Sequence, residues 1–362
     1  MFGRIFKCIN SNKGEAIIVL KAKKWTALAM AALFSVGVLA AGCGGEKKAA
    51  EKKPEKLTIY CGLMEDHMIK TVKEFEKETG IKVEAVRMSS GEILGRINAE
   101  KNAPKASVWY GGPADGFIQA QEYGLLEKYV SPNAAKIPDK FKDKDGYWTG
   151  IYVGYLGFSS NKKLLAEKGV AAPQSWQDLL KPEFKGQIVV ANPGSSGTAY
   201  TMLATMVQLM GEEKGLAYMK ELNGQVKTYT KSGTAPGRMA GQGECTVGIT
   251  FLHDAIKYRE EGMTDIVLSA PSEGTGYEIG AVGIIKGGPD QEAANKFIDW
   301  ILTKKAQEIG QTTGSYQFLT NPEAATPKQA GEIKDTKLIN YDLKWAGTNR
   351  AKLVEKWNAA VN

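Results

Sequence analysis

From Leu57 onward, short β-prone runs alternate with stretches whose apolar residues recur at helical spacing. That alternation confines the body of the chain to the α/β class, with mainly parallel strands and helices on the sheet faces. Residues 57–61 read as the first strand. Residues 65–79 follow with Met68, Ile69, Val72 and Phe75 on one helical face, acids early and Gly80 as the stop. Strands are predicted at 81–87 and 107–110, and helices from Ser89 onward and at 114–123. A second β–α series has strands at 185–192, 225–229 and 246–250 and helices at 196–210, 212–223, 233–241 and 253–262. Residues 147–159 (YWTGIYVGYLGFS) are long, aromatic and glycine-spaced, which suits an extended segment crossing between domains. Residues 266–268 and 277–285 read as the return crossing. Helices at 291–302 and around 345–360 complete the chain.

The length of 362 residues allows two domains or one large one. The net charge of +7 lies in front of that body: residues 1–42 hold six cations against Glu15, and residues 46–56 hold five Lys against three Glu. Residues 57–362 are therefore neutral overall, which excludes a global basic field for nucleic acid. Any anion site must be built locally. Two histidines in the whole sequence argue against a multi-histidine metal centre, and no metal or other cofactor is expected.

Lys21, Lys23 and Lys24 precede an apolar run from Trp25 to Ala41, then small residues and Cys43. This is the pattern of an export signal. Leu39-Ala40-Ala41-Gly42-Cys43 resembles the lipobox of bacterial lipoproteins, which implies removal of residues 1–42 and diacylation of Cys43. A retained membrane anchor is the competing reading, since the run is just long enough to span. The purine-rich codons that would encode Lys13-Gly14-Glu15 also fit a translation start near Val19. Residues 43–56 lack a core-forming side chain and read as a flexible tether, reaching roughly 20 Å on average. After cleavage only Cys61 and Cys245 remain, and both are expected to be buried free thiols.

Candidate site residues gather in loops that follow strands, the edge at which open α/β sheets bind ligands. Ser89 and Ser90 follow the second strand; Gly111 and Gly112 follow the third. Residues 192–200 (NPGSSGTAY) join a strand to a helix and offer Ser195, Ser196, Gly197 and Thr198. Unpaired amides at a helix start, glycines that admit an anion and hydroxyl donors suit a small negative ligand; a plain serine cap reads the same residues without one. Thr230, Lys231, Ser232 and Gly233 repeat the arrangement and add a lysine, which a solvated turn would also explain. His253 and Asp254 end a further strand, either as hydroxyl-reading groups or as a favourable helix start. Glu273 and Glu278 flank a glycine-rich turn at the return crossing. His67 reads as a first-turn or surface residue.

The segments LTIYCGLMED, WYGGPADGFIQAQEYGLLEKY, PEFKGQIVVANPGSSGTAY, YTKSGTAPGRMAGQGE, VGITFLHDA and GYEIGAVGIIKG together resemble the extracytoplasmic solute-binding proteins of bacterial ABC importers. The resemblance runs from Leu57 to the C-terminus and is to the ferric-ion, 2-aminoethylphosphonate and phosphosugar group. It implies two α/β lobes, each a mainly parallel sheet flanked by helices, joined by two crossing strands and closing around ligand. The lobes would be 57–155 with 270–362, and 156–269. It implies that His253, Asp254 and Glu278 contact sugar hydroxyls while the SSGT and TKSG loops hold a phosphate. The expected partners are a small anionic solute, an ABC permease with its ATPase, and the membrane through the lipid; the protein would be a monomer in the cell envelope, outside the cytoplasmic membrane. Ferric iron is an alternative solute, although the sequence has no Tyr-Tyr pair. A ligand sensor serving a membrane kinase would use the same cleft. The chain has no GxSxG elbow, HExxH or P-loop lysine motif, and it does not read as an enzyme.

Overall fold

Strand β1 (Lys56–Cys61) turns Leu57, Ile59 and Cys61 to one face of the sheet and Tyr60 to the other, and all four are buried. A strand wrapped on both faces belongs inside an α/β sheet. The structure is a computed structural model that describes residues 56–361. The leader, Cys43 and the tether to residue 55 lie outside the described residues.

The other strands are β2 (Lys82–Arg87), β3 (Val108–Pro113), β4 (Leu126–Glu127), β5 (Thr149–Asn161), β6 (Ile188–Ala191), β7 (Val226–Thr230), β8 (Val247–Phe251), β9 (Ile266–Ser269), β10 (Tyr277–Ile285) and β11 (Phe318–Leu319). The helices are α1 (Glu65–Thr79), α2 (Ser90–Ala99), α3 (Ala114–Glu122), α4 (Lys162–Lys168), α5 (Gly197–Met210), α6 (Glu212–Asn223), α7 (Ala235–Gly241), α8 (Leu252–Glu260), α9 (Gln291–Ile301), α10 (Lys304–Gln307) and α11 (Leu343–Val361). The order across the sheet is β2-β1-β3-β10-β5-β8-β6-β7. Strands β1, β2 and β3 run parallel, as do β6, β7 and β8.

Strand β5 belongs to both halves. Its first part, Thr149–Tyr155, pairs antiparallel with β10, and its second part, from Leu156 on, pairs with β8 and β9. The return path follows it: β9 lies against the second part, and β10 against the first. This is the two-lobed α/β arrangement that the sequence predicts, with the crossing segment buried almost throughout.

Each half has its own apolar packing. On one face of the first half, Met68 and Phe75 of α1 and Phe297, Ile298 and Ile301 of α9 cover Ile59, Val108 and Tyr110. On the other, Ile93, Ile97 and Phe117 cover Tyr60 and Trp109, with the Trp109 and Phe117 rings stacked 4.0 Å apart. In the second half, Phe158, Trp176, Tyr200 and Leu203 centre a separate core. Each such large apolar side chain contributes about 1.5–3 kcal/mol by leaving water. The last helix, which the sequence assigns to the first lobe, contributes to both: Leu353 and Trp357 join the second core, while Gly347 abuts Ile118 of α3. Cys61 and Cys245 are free and buried, as expected.

Candidate functional site

The register between β10 and β5 sets Glu278 opposite Gly154. From the other side, β8 ends at Phe251 and α8 begins at Leu252, so His253 and Asp254 stand in the helix's first turn, both buried. The three side chains meet across the bare Cα of Gly154. His253 Nε2 lies 3.4 Å from Asp254 Oδ1 and 3.8 Å from Glu278 Oε1. It is also 3.4 Å from the amide nitrogen of Gln317. The Phe251 ring stacks on the imidazole at 5.7 Å, and Tyr152 meets it edge-on.

Burial sets the charge of this group. It pushes the imidazole of His253 down to about 3, with His67 adding to the shift, so the ring is neutral. Its contacts with the carboxyls are therefore not ion pairs. Burial raises Asp254 to about 7, against the pull of Arg87 and Lys257. Burial, then the proximity of Asp254, raises Glu278 well above the usual carboxylate range. The Tyr152 hydroxyl donates to Glu278 at 3.4 Å and accepts from the Gly112 amide at 3.2 Å. His253 Nδ1 has no hydrogen-bond partner among the described residues. A neutral ring, two carboxyls and a carboxamide are suited to reading hydroxyl groups, since they supply both donors and acceptors.

These residues line a chamber of about 40 Å³, walled also by Ser90, Gly112, Pro113, Thr198, Thr234 and Ser315, which is room for roughly three waters. Gly111 and Gly112 take φ of 84° and 99°, a left-handed turn that only glycine adopts cheaply and that lets β3 run directly into α3. Contacts across the seam between the halves include the Gly91 amide donating to the Ser195 carbonyl at 2.9 Å and Arg87 donating to Ser232 Oγ at 3.2 Å.

Of the residues singled out in the sequence, Ser90, Gly112, Thr198, His253, Asp254 and Glu278 reach the chamber wall. The others sit around it. Ser89 precedes α2, its amide donating to Glu92 at 3.1 Å. Gly111 accepts from the Trp109 indole. Ser195 Oγ donates to the Lys231 carbonyl at 3.1 Å. Ser196 Oγ caps α5 by accepting from the Ala199 amide. Gly197 packs on Pro113 and Gly233 on Thr198. Thr230 Oγ1 donates to the Ser232 carbonyl, and the Lys231 side chain is exposed. Glu273 lies away from the chamber, accepting from the Trp176 amide at 3.2 Å. His67 is in the first turn of α1 but buried, hydrogen-bonded to Ser315 at 3.0 Å behind the chamber wall. Sequence reasoning missed Tyr152, Thr234, Ser315 and Gln317 in the wall.

A second, more open cavity of about 590 Å³ adjoins the first, and Met64 and Thr234 line both. Arg87, Arg238 and Lys257 line it, together with Glu65 and Asp66.

Residues 114–343 match the family described as bacterial extracellular solute-binding protein. The chain belongs to that family. An uncharacterized protein of Haemophilus influenzae is 41% identical over 331 residues, covering 89% of this chain and 95% of the relative. The fold of this solute-binding protein matches that of the periplasmic binding protein AfuA from Actinobacillus pleuropneumoniae, solved with exogenous fructose-6-phosphate bound. The TM-score is 0.82 at 42% identity, over 85% of this chain and 98% of that one. A Fe(3+)-binding periplasmic protein of Serratia marcescens is 24% identical over 84% of this chain and 90% of its own length. The family comprises solute-binding proteins rather than enzymes. Among the described residues, no helix is long and apolar enough to cross a membrane.

Proposed function

We propose that this chain is the solute-binding component of an ABC importer. It captures a small organic anion, a hexose phosphate or a phosphonate, and hands it to a permease and its ATPase. The observation that carries this reading is the meeting of His253, Asp254, Glu278 and Gln317 in one buried chamber beside Thr198 at the start of α5. The bound fructose-6-phosphate of the Actinobacillus protein supports the phosphosugar within that class.

The mechanism follows from how the chamber is assembled. Its walls come from two proposed lobes, residues 57–155 with 270–362 and residues 156–269. Because both lobes wall the chamber, parting them opens it to a solute. Ligand then touches both lobes only when they are shut, and its differential contacts favour closure. We assign residues 1–42 to an export signal and Cys43 to the lipid attachment, with the tether holding the monomer outside the cytoplasmic membrane. Anchoring raises the effective concentration of the protein at its permease.

The Serratia relative favours iron as a second reading. Tyr152 is the one tyrosine in the chamber wall, and its hydroxyl is held by Glu278 and Gly112. A thermal-shift panel decides between the readings. The panel comprises hexose phosphates, phosphoglycerates, phosphonates, carboxylates, thiamine compounds and ferric citrate. Ligand at one hundred times its Kd stabilises the native state by about 2.7 kcal/mol. A rise in melting temperature with a phosphorylated solute is expected. A rise with ferric citrate alone, or with none of the panel, overturns the proposal.

A further inference from the structure

A separate cavity of about 350 Å³ opens at the edge of the first half that lies opposite the chamber. Buried Ile97, Leu125 and Ile285 supply its apolar side, and Lys101 and Lys286 supply its charge. Tyr123, which is 50% exposed, completes the wall. The strands fix this placement. Lys101 lies in the loop that leads into β3, and the Ser107 amide at the end of that loop donates to the Thr58 carbonyl near the start of β1 at 2.9 Å. The Lys286 amide, just past β10, donates to the Leu125 carbonyl at 2.9 Å. Gly62, Gly112 and Glu278 of the chamber wall stand at the other ends of β1, β3 and β10. One strand length, roughly 20 Å, therefore separates the two sites.

The cavity is positive without a counter-charge of its own. No Asp or Glu lines it. The acids beside it in sequence are engaged elsewhere. Glu100 is held by Arg96 and Tyr60, Glu122 accepts from Thr348, and Asp290 accepts from the Thr58 amide and Ser107 Oγ. Two ammonium groups attract an anionic surface, and an exposed tyrosine with an apolar body and a polar tip suits the depth of lipid headgroups. The direction of the chain adds a second argument. Strand β1 begins at this same edge, and what precedes it is the proposed tether, whose average reach is also roughly 20 Å. Of the two ends of these strands, the one carrying Lys101 and Lys286 is thus held nearer to the bilayer.

We propose that this edge is a membrane-contact surface, with the phosphate of an anionic phospholipid seated between Lys101 and Lys286 and Tyr123 lying among the headgroups. It rests on the lipid anchor assigned above. The lipid supplies the affinity, and the patch supplies the pose. In that pose the chamber faces away from the bilayer, where solute arrives.

The test uses the full-length lipoprotein with its lipid attached, in vesicles of phosphatidylcholine alone or of equal parts phosphatidylcholine and phosphatidylglycerol. Lysines are labelled with an amine reagent and read by mass spectrometry. Each ammonium near an anionic surface favours contact about fivefold, so labelling of Lys101, Lys286 and the exposed Lys105 of the same loop should fall at least about fivefold in the mixed vesicles. Lys168, exposed on α4, should label equally in both. High NaCl should restore the labelling, because screening weakens the contact. Lys101→Gln combined with Lys286→Gln should free Lys105 in the mixed vesicles, while the protein still floats with them and keeps its response to solute. Equal labelling in the two kinds of vesicle, with the protein floating on both, overturns the surface and leaves the anchor and the importer reading standing. Protection by free glycerol phosphate without vesicles overturns the lipid as occupant. A protein that floats with neither vesicle has no anchor, and the surface falls with it; the solute panel is unaffected by that result.

Discussion

Gly154 lies so close to His253 that a Cβ in place of its hydrogen would fall 2.4 Å from the imidazole Cε1 and 3.0 Å from Glu278 Oε1. The strand therefore needs glycine here for space rather than for backbone freedom. Gly154→Ala should displace the imidazole or the Glu278 carboxyl. Overpacking of this kind costs about 1–3 kcal/mol, so solute affinity should fall roughly 10- to 100-fold. Calorimetry with whichever compound raises the melting temperature reads this directly. Unchanged affinity would remove His253 and Glu278 from the site.

Asp254 makes the ligand-free protein sensitive to pH. Its folded value of about 7 stands above its ordinary 3.8 because burial opposes ionisation. The native state therefore holds this proton more tightly than the unfolded chain does, and the stability it gives is present at acid pH and lost as pH rises through about 4 to 7. Asp254→Asn removes that loss. Its advantage should be small near pH 4, grow to at most about 4 kcal/mol by pH 7, and stay constant above. The buried histidines act in the opposite sense. His67 is pushed down to about 4 by burial, so the wild-type protein should lose stability as pH falls from about 6.5. Melting curves of both proteins from pH 4 to 8 separate the two effects, and a pH-independent difference would refute the Asp254 assignment.

The fold was legible because its signals are periodic. The predicted bounds of α1, α6 and β10 match the structure residue for residue, and each is a run with a clear apolar repeat. The site was legible where a polar residue follows a strand, as with Ser90, Thr198, His253 and Asp254. Gln317 and Ser315 were not, because they lie in an irregular segment after Gly314 that carries no period. Tyr152 was hidden for another reason. It sits in a segment read as a connector, although its alternation with Gly154 placed both on one face of the strand. Arg87 reads in the sequence only as the end of a strand; the approach of Ser232, 145 residues later, is not visible there.

The two thiols among the described residues, Cys61 and Cys245, should be silent in the native protein. Burial raises both Cys61 and Cys245 to about 12, which leaves almost no thiolate at neutral pH. A thiol reagent should label neither within the time it labels a small thiol, and should label both once denaturant unfolds the chain. Rapid native labelling of either would show that its half opens on that timescale. Reduction should leave the melting temperature unchanged, because no bond joins the two.

Arg350 and Asp115 form the joint behind the chamber. Arg350 comes from α11, with Nη1 3.6 Å from Asp115 Oδ1 and Nη2 donating to the Pro193 carbonyl at 3.4 Å. Its guanidinium carbon lies 4.3 Å over the Tyr200 ring. Asp115 opens α3 just after Gly112, and Pro193 opens the loop before α5, so one cation holds both walls of the site. Both partners are almost fully buried, and burial pushes Asp115 up to about 7 despite the pull of Arg350. Arg350→Met leaves that carboxyl without a cation. At pH 8 the loss should be about 3–5 kcal/mol, and at pH 5 smaller, because Asp115 can then take up a proton and become neutral. The double variant Asp115→Asn with Arg350→Met should recover most of the loss at pH 8, since no buried charge is left stranded. Urea melts of the four proteins at the two pH values measure the coupling. Losses that simply add, with no dependence on pH, would mean that the pair acts as two separate packing groups.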